Sequence, residues 1–383
     1  MRKVQYISGS GLLPDDVQVR TLACVTSMCS CGSKGDDTAT SSPIEGDSES
    51  HEDTQEDGDQ RQYDRNLPEQ DWNESALWVV LAPHGDPFHQ GPEWNLTIQK
   101  QEYQSILARG RLAYIARQVF EHQHRTHLFQ LLIFDDEARF IRWDRAGASV
   151  SGKFKYTNKP KGLKTFLYTY GCASEAERGW DSSVSPALLR EERLFFNACR
   201  TWSRSLRSTN PVRMAWKHVP ATDTKVALDP GWPTYKVTLG SPSKDLLKDE
   251  LIIKRPFYIQ PDRFLSRGVR RYLAYSTRLK KLVVFKDGWR YDDETLFSEA
   301  TAYHHLRLHH VSFIPHIHLG GDVIGNVTRT NMLKARRDIR GGDMISKYTM
   351  RQHRVVQDLA CPLSCLPSTK AVVYVIRDCF DGM

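Results

Sequence analysis

A lysine and a glutamate at positions 286 and 299 carry the clearest chemical signal in the sequence. Lys286 directly follows an apolar run, and Glu299 lies in a segment with helical spacing. One interpretation ends a central strand at Lys286 and places Glu299 one helix away. Glu299 then borders the buried stripe that contains Leu296 and Tyr303, so that it can face the sheet. A lysine and a glutamate so placed can form the ion pair that holds nucleotide phosphates.

The same segment also permits a simpler interpretation. Asp287-Gly288 stands between two apolar runs, and this dipeptide is the strongest short-range signal for a type I′ hairpin turn. Residues 283–291 would then form a β-hairpin, Lys286 would be one exposed lysine, and Glu299 would lie on a solvated helix face. Spacing alone does not choose between the hairpin and the ion pair.

Histidines form two groups that suggest metal binding. One group is His122, His124 and His127; the other is His304, His305, His309, His310, His316 and His318. The first group straddles a helix end and a strand, so its rings should diverge. Because converging tetrahedral ligands are not implied by either spacing, no metal site is predicted. The sequence also contains no Gly-x-Ser-x-Gly elbow and no Walker lysine motif, which leaves a hydrolase or a P-loop enzyme without support.

The elements that position these residues follow from hydrophobic periodicity. A helix is predicted over 102–121, followed by strands at His127–Phe134 and Arg139–Arg145 and a helix at Ala187–Trp202 with Leu194, Phe195, Ala198 and Trp202 inward. After a polar, proline-containing stretch come strands at Tyr235–Leu239, Glu250–Ile253, Tyr272–Tyr275 and Leu282–Phe285. A helix from about Asp292 to Leu308, a short strand at Val355-Val356 and a final helix capped by Ser368 complete the expectation.

Composition bounds the class of protein. The chain has 383 residues, 40% hydrophobic and 26% charged, with a net charge of +7. Residues 35–60 hold ten acids and neither lysine nor arginine, so that residues 1–70 are expected to form a disordered acidic tail. No apolar run approaches a membrane span, and the N-terminus has no apolar signal segment. The expected location is intracellular, in the cytoplasm or the nucleus.

A series of short motifs gives the sequence a family resemblance. In chain order they are His124-Arg-Thr-His-Leu-Phe129, Leu132-Ile-Phe134, Ala138-Arg-Phe-Ile-Arg-Trp-Asp-Arg-Ala-Gly-Ala-Ser-Val-Ser151, Arg178-Gly-Trp-Asp181, Arg255-Pro-Phe257, Arg267-Gly268, Tyr272-Leu-Ala-Tyr275, Val284-Phe-Lys-Asp-Gly-Trp-Arg290, Glu299-Ala-Thr-Ala-Tyr303, Ile314-Pro315 and Gly320-Gly-Asp-Val323. Over roughly residues 100–383 the sequence resembles the fungal-type protein kinase family. The resemblance favours the ion-pair interpretation over the hairpin.

The resemblance implies an α+β fold in four parts. These are an acidic tail (1–70), a family-specific α+β region (71–202), a linker (203–231) and a partial kinase-like domain (232–383). That domain would contain the N-lobe, a small antiparallel sheet plus the αC helix, and the start of the C-lobe. The implied activity is ATP-dependent phosphotransfer to Ser and Thr hydroxyls of proteins.

The same resemblance assigns nucleotide-binding roles to six residues. Lys286 would grip the α- and β-phosphates, and Glu299 would orient it from the αC helix. Gly268 would belong to the phosphate-covering loop over 266–271. The hinge, which binds adenine through its backbone, would run from Gln357 to Ala360 and would include Asp358, Leu359 and Ala360 as binding residues.

The sequence departs from the family pattern in two ways. The glycines at the first and third places of the phosphate-covering loop are replaced by Ser266 and Arg271, which puts a close backbone cradle in doubt. Arg270 and Arg271 are expected to attract nucleotide as charges instead. No HRD and no DFG motif is present, so no catalytic acid and no Mg²⁺ ligand is predicted. The chain as written is expected to be inactive and truncated within the C-lobe.

Three functions remain open: a kinase, a non-catalytic kinase-like interaction protein, and a basic nucleic-acid-binding module. The interaction hypothesis rests on the apolar stripe Val372, Val375, Ile376, Cys379 and Phe380, which predicts association through helix 368–380 and poor solubility. The nucleic-acid hypothesis rests on the lysines between Lys153 and Lys164, which have few interleaved aromatic residues. The expected partner is a protein, as substrate or as binding partner; nucleic acid is the least favoured of the three alternatives, and no membrane is expected.

Overall fold

The computed structural model describes residues 72–73, 75–90, 97–99, 102–158, 160–205, 225–240, 249–260, 267–312, 314–330, 349–359 and 368–381. The predicted tail over 1–70 lies outside the described residues, as does most of the predicted linker over 203–231. Helices and antiparallel sheets alternate along the chain, which confirms the predicted α+β class. None of the described helices is both long enough and apolar enough to cross a membrane.

The first half of the chain builds one small sheet, one two-stranded ribbon and a long helix. In chain order the elements are β1 (Trp78–Leu81), β2 (Phe88–Gln90), β3 (Thr97–Gln99), α1 (Tyr103–His122), β4 (His127–Phe134), β5 (Glu137–Asp144), β6 (Gly147–Val150) and β7 (Phe154–Lys155). The sheet runs β1-β4-β5-β6, with β7 also paired to β5, and β1 is parallel to β4. The predicted helix over 102–121 and the antiparallel meander after it are both confirmed.

Helix α1 packs on this sheet through the stripe that its periodicity predicted. Leu112, Ile115, Ala116, Val119 and Phe120 are all buried, and they contact apolar side chains of β1, β4 and β5. Burial of each large apolar side chain contributes roughly 1.5–3 kcal/mol. This stripe therefore explains why the helix stays on the sheet although it has no side-chain N-cap.

The second half of the chain builds a larger antiparallel sheet. After β7 the elements in chain order are α2 (Lys161–Cys172), β8 (Val184–Pro186), α3 (Leu189–Ser205), β9 (Tyr235–Leu239), β10 (Asp249–Ile253), β11 (Tyr258–Ile259), β12 (Arg270–Ser276), β13 (Lys281–Tyr291), α4 (Glu299–Leu308), β14 (Ile317–Val327), β15 (Met350–Gln357) and α5 (Thr369–Asp381). Strand order is β14-β15-β13-β12-β10-β9-β8, with β11 paired to β12. Helix α2 belongs to the first half of the fold, since its Tyr170 hydroxyl donates to Ala76 beside β1.

Strand β13 shows that the hairpin interpretation of residues 283–291 is wrong. It runs without a break for 11 residues, with Asp287 opposite both Arg270 and Arg354 and Gly288 opposite His353. Strands β12 and β15 pair with it on both sides, so that ladder hydrogen bonds keep the Asp-Gly dipeptide extended. Tertiary pairing has overridden a local turn signal.

Two helix predictions need correction. Helix α4 begins at Glu299 rather than Asp292, because Ser298 caps it by accepting from the Thr301 N–H at 3.1 Å, and Leu296 lies outside it, 54% exposed. In helix α3, Leu194 is exposed and the buried stripe runs through Phe195 and Cys199. Phe195 is buried as predicted, and Ala198 and Trp202 pack against the same cluster, so that only Leu194 departs from the predicted inward set.

Buried charged side chains join the two sheets. Arg354 Nη2 lies 2.6 Å from Asp181 Oδ2, and its Nε lies 3.1 Å from Asp287 Oδ1; Asp287 Oδ2 also accepts from Arg270 Nη2 at 2.8 Å. These four side chains are at most 6% exposed. Asp181 precedes the predicted linker and the other three follow it, so this network holds the family-specific region against the second sheet. The predicted domain limits themselves stay a prediction.

Candidate nucleotide site on the second sheet

Lys286 and Glu299 meet on one face of the second sheet. The structure places Lys286 Nζ 2.6 Å from Glu299 Oε2, which is the contact that the ion-pair interpretation predicted. The two side chains are 24% and 28% exposed, so solvent still reaches the pair. Glu299 is the first residue of α4, where the positive end of the helix dipole favours a carboxylate.

Strand alternation decides which residues share this face with Lys286. Arg271 on β12 stands directly opposite Lys286, so that both side chains lie on the same side of the sheet. The Arg271 side chain is exposed, and its guanidinium lies over the Tyr258 ring at 4.7 Å from the centroid. Lys286 and Arg271 thus lie side by side on this face, on two adjacent strands.

Arg270 cannot serve as the nucleotide-attracting charge that the sequence suggested. It lies on the opposite face, 5% exposed, where it donates to Asp287 and to the backbone oxygens of Phe120 and Gln123. The expectation is wrong for Arg270 because adjacent strand residues point to opposite faces. Arg271 is the residue of the pair that remains on the site face.

Gly268, the remaining glycine of the predicted phosphate-covering loop, contacts an arginine of the first sheet region. Its φ is +49°, and a Cβ there would stand 2.5 Å from Cζ of Arg145. The Arg145 side chain is buried over the Phe120 ring, and among the described residues no acceptor binds its Nε. Burial, followed by the nearby charge of Arg270, lowers the pKa of Arg145 to about 10. Glycine here therefore makes room for a guanidinium; Ser266 lies outside the described residues.

The predicted hinge is held by contacts of its own. The Asp358 N–H donates to the His316 carbonyl at 3.2 Å, and its carboxylate accepts from Lys281 at 2.7 Å and from His318 at 2.8 Å. Partial burial opposes ionisation of Asp358, but these two hydrogen bonds lower its pKa. Leu359 packs at the edge of an apolar cluster, and Ala360 lies outside the described residues.

Helix α3 covers the apolar part of the site face. Phe195 and Cys199 are fully buried against Leu273 and Leu282, which lie on the same side of the sheet as Lys286. Burial raises the pKa of the Cys199 thiol to about 12, so it stays a neutral apolar group. The sequence did not predict this contact, since nothing in the local pattern of α3 says which face of a later sheet it meets. The site is therefore polar at Lys286 and already packed at its apolar end.

The two groups of histidines differ in a way that their spacing in the sequence does not show. The rings of His122, His124 and His127 diverge as predicted: they contact Trp232, Tyr235 and Phe129 respectively. By contrast, ligand atoms of His316, His318 and Asp358 all lie within 4.8 Å of one another. The spacing of residues along the sequence does not indicate this cluster, because Asp358 is brought to the histidines by the pairing of β14 with β15.

Two further predicted surfaces are partly described. Lys153 pairs with Glu137 and Lys155 with Asp136, so two lysines of the predicted basic patch already have acidic partners. On helix α5 four consecutive apolar side chains are between 36% and 57% exposed, and they are Val373, Tyr374, Val375 and Ile376. The side chains of Cys379 and Phe380 lie outside the described residues.

Comparison with known protein families gives a match over most of the chain. A family model described as fungal protein kinase matches residues 93–383, which is most of the chain. No curated protein and no solved structure matches. The matched range contains strands β4 to β7 of the first sheet, without β1, and the whole of the second sheet.

Proposed function

The chain belongs to the fungal protein kinase family, and from this membership we propose that it binds ATP on the Lys286 face of the second sheet. The observation that carries the proposal is the 2.6 Å pair between Lys286 and Glu299. Protein kinases use a strand lysine and an αC glutamate in this way to hold the α- and β-phosphates. The Lys286 side chain is partly exposed, so an anion can reach its ammonium group.

In this proposal the triphosphate is bound mainly by charge. Arg271 lies beside Lys286, on the face that the phosphates would approach, and it stands where the family has a glycine. Arginine binds phosphate in a bidentate fork, so it can replace the backbone N–H groups that a glycine loop would supply. The base would have to reach the apolar end of the face, which helix α3 covers. We therefore propose stronger recognition of phosphate than of adenine.

Phosphotransfer to protein hydroxyls is the family activity to which this site would contribute. That reaction requires an aspartate to accept the hydroxyl proton and acids to hold Mg²⁺. The 383 residues contain no HRD and no DFG motif, and Glu299, the acid beside Lys286, is already paired with the lysine. The described residues at this site thus do not fit a Mg²⁺ ion. We propose nucleotide binding by these residues without transfer by them alone.

Titration of a fluorescent ATP analogue into the full chain tests the proposal. Lys286→Met should weaken binding at least about tenfold, since it removes a charge-assisted contact to phosphate. Lys153→Met is the matched control, because Lys153 also pairs with a glutamate, at 2.8 Å, but on the first sheet. Equal affinity of wild type and Lys286→Met would show that the assignment is wrong. A fall with Lys153→Met as well would indicate general attraction to basic surface.

A protein-interaction role is the second candidate, because helix α5 carries exposed apolar residues. Isolated apolar side chains on a surface are ordinary, but a contiguous patch favours association. We propose that α5 packs against another protein surface, and that the isolated chain is poorly soluble. Light scattering of the wild type and of a Val373→Glu, Ile376→Glu variant tests this role. A monodisperse monomer for both proteins would contradict it.

A further inference from the structure

The strongest feature that nucleotide binding does not use is the side-chain cluster of His316, His318 and Asp358, of which Asp358 belongs to the predicted hinge through its backbone. His318 Nε2 lies 2.8 Å from Asp358 Oδ1, and His316 Nδ1 lies 3.8 Å from Asp358 Oδ2. The two imidazole rings are 4.3 Å apart between centroids. One ligand atom from each of the three residues lies within 4.8 Å of the ligand atoms of the other two. Two imidazoles and one carboxylate converge here without being adjacent in sequence.

The backbone fixes this convergence. Ile317 on β14 pairs with Gln357 on the antiparallel strand β15. This pairing holds His316, which precedes Ile317, beside Asp358, which follows Gln357. The hydrogen bond from the Asp358 N–H to the His316 carbonyl closes the end of the ladder. The register of β14 is irregular between Ile317 and Leu319, and the rings of His316 and His318 lie together there, 4.3 Å apart between centroids. The donor set is thus positioned by main-chain pairing rather than by flexible side chains alone.

A hydrogen-bonded group without a metal is the competing interpretation. Lys281 Nζ lies 2.7 Å from the same Oδ1 that accepts from His318, and this ion pair satisfies part of the carboxylate. That interpretation explains His318, which is 10% exposed, but it gives no role to His316, which is 54% exposed and beyond hydrogen-bond distance of Asp358. A ligand atom of His316 nevertheless lies within 4.8 Å of ligand atoms of His318 and Asp358, which is close enough for one metal ion to be shared by the three side chains.

We propose that His316, His318 and Asp358 bind one divalent transition-metal ion, with Zn²⁺ as the best fit. Zinc takes imidazole nitrogens and carboxylate oxygens at about 2.0–2.2 Å, which sets neighbouring ligand atoms about 3.4 Å apart. The exposed side chains of His316 and Asp358 can rotate to that spacing, while His318 and the backbone stay in place. Three protein ligands leave the fourth position to water.

Metal binding here exchanges one cation for another. The ion replaces the hydrogen bond between His318 Nε2 and Asp358 Oδ1, and Lys281 turns towards solvent, which its 46% exposure permits. The ammonium repels the incoming ion at short range, so Lys281 weakens the site. Removal of the Lys281 charge should therefore increase zinc affinity, whereas removal of a ligand should decrease it. The site does not depend on nucleotide binding.

The experiment is a Zn²⁺ titration of the full chain in competition with a chromophoric chelator. Wild type should bind one more equivalent of Zn²⁺ than His318→Ala or Asp358→Asn. In His316→Ala the affinity for that additional Zn²⁺ ion should be lower by at least about tenfold. Lys281→Met should tighten it by up to about tenfold. Because the readout is a difference between variants, zinc bound by thiols elsewhere in the chain cancels.

The control is the double variant His309→Ala, His310→Ala, whose two exposed imidazoles lie after helix α4 and outside the cluster. It should bind zinc as wild type does. The same stoichiometry and affinity in wild type, His318→Ala and Asp358→Asn would overturn the proposal. A Lys281→Met variant that binds zinc no more tightly than wild type would also contradict it. Circular dichroism of each variant verifies that the fold is kept, and the gain expected for Lys281→Met does not depend on a loss of structure.

Discussion

The two faces of strand β13 use ion pairs in opposite ways. Asp287 faces the first sheet region, where Arg270 and Arg354 bind it and all three side chains are at most 6% exposed. Lys286, one residue away, faces helix α4, where its pair with Glu299 keeps about a quarter of each side chain in contact with solvent. One face is saturated with partners, and the other retains a cation that a ligand can reach.

This difference separates structural from functional charge. A buried charge without its partner is costly, so the Asp287 network must stay complete whenever the protein is folded. An ion pair that is partly exposed contributes little to stability, typically 0 to about 1 kcal/mol, so that it can open and exchange partners. Adjacent residues of one strand can therefore serve folding and binding separately.

The largest expected effect is on the buried face. Asp287→Asn keeps the shape of the side chain but leaves Arg270 and Arg354 buried beside a neutral amide. Loss of one partner of a buried pair costs about 3–5 kcal/mol, so the free energy of unfolding in urea should fall by that amount. Asp136→Asn, which removes the exposed partner of Lys155, is the control and should stay within about 1 kcal/mol of wild type. Equal effects of the two variants would remove the distinction between the faces.

The next effect concerns pH and His124, which lies against the buried network. Burial, and then the charge of Arg270, lowers the pKa of His124 to about 3 from its usual 6.5. Between these values the unfolded chain binds a proton that the folded chain does not, so stability falls as the pH falls below about 6.5. The expected slope is about 1.4 kcal/mol per pH unit from this group, or about 2 kcal/mol lost by pH 5.

Urea unfolding at a series of pH values measures this slope. His124→Gln should reduce the slope by up to one proton, whereas His304→Gln, on the exposed face of α4, should leave it unchanged. His127 contributes to the slope in both proteins, since burial lowers its pKa to about 4. A profile of His124→Gln that coincides with that of wild type would show that His124 is not held neutral by the fold.

Much of the fold could be predicted from the sequence because local patterns determine it. The stripe of α1, the strands of the first meander and the strands around Tyr272 and Leu282 follow from periodicity, and all of them are present. The length of β13 and the exposure of Leu194 on α3 could not be predicted in this way. Both depend on partners that are distant in sequence: strands β12 and β15 outweigh the Asp-Gly turn signal, and the second sheet contacts Phe195 and Cys199 of α3 rather than Leu194.

The candidate site was predictable only where a family pattern or a spacing rule applied. The contact of Lys286 with Glu299 follows from the strand and helix that carry them. Strand alternation alone places Arg270 and Arg271 on opposite faces of the sheet. Which of them shares a face with Lys286 depends on the pairing register, which the sequence does not reveal. Arg145 against Gly268, and Asp358 beside His316, join segments that no local rule connects.

A third effect tests the connection between the loop and the first sheet. Gly268→Ala places a Cβ in the left-handed region and against the buried Arg145 guanidinium, which should cost about 1–2 kcal/mol from the backbone alone. Thermal unfolding measures this loss. Gly110→Ala, in α1 with open space around it, is the control and should be neutral or stabilising. No loss in Gly268→Ala would mean that the loop adapts, and that Arg145 does not require glycine there.

The smallest effect on stability belongs to the open face, and it is the one most closely tied to function. Lys286→Met removes a partly exposed ion pair, so the free energy of unfolding should change by less than about 1 kcal/mol, while nucleotide affinity falls at least about tenfold. Glu299→Gln should likewise leave stability nearly unchanged, because the helix cap at Ser298 remains. A loss of several kcal/mol in Lys286→Met would place the pair in the same structural class as Asp287. In that case the lost nucleotide affinity would reflect unfolding, and the two faces of β13 would no longer differ in kind.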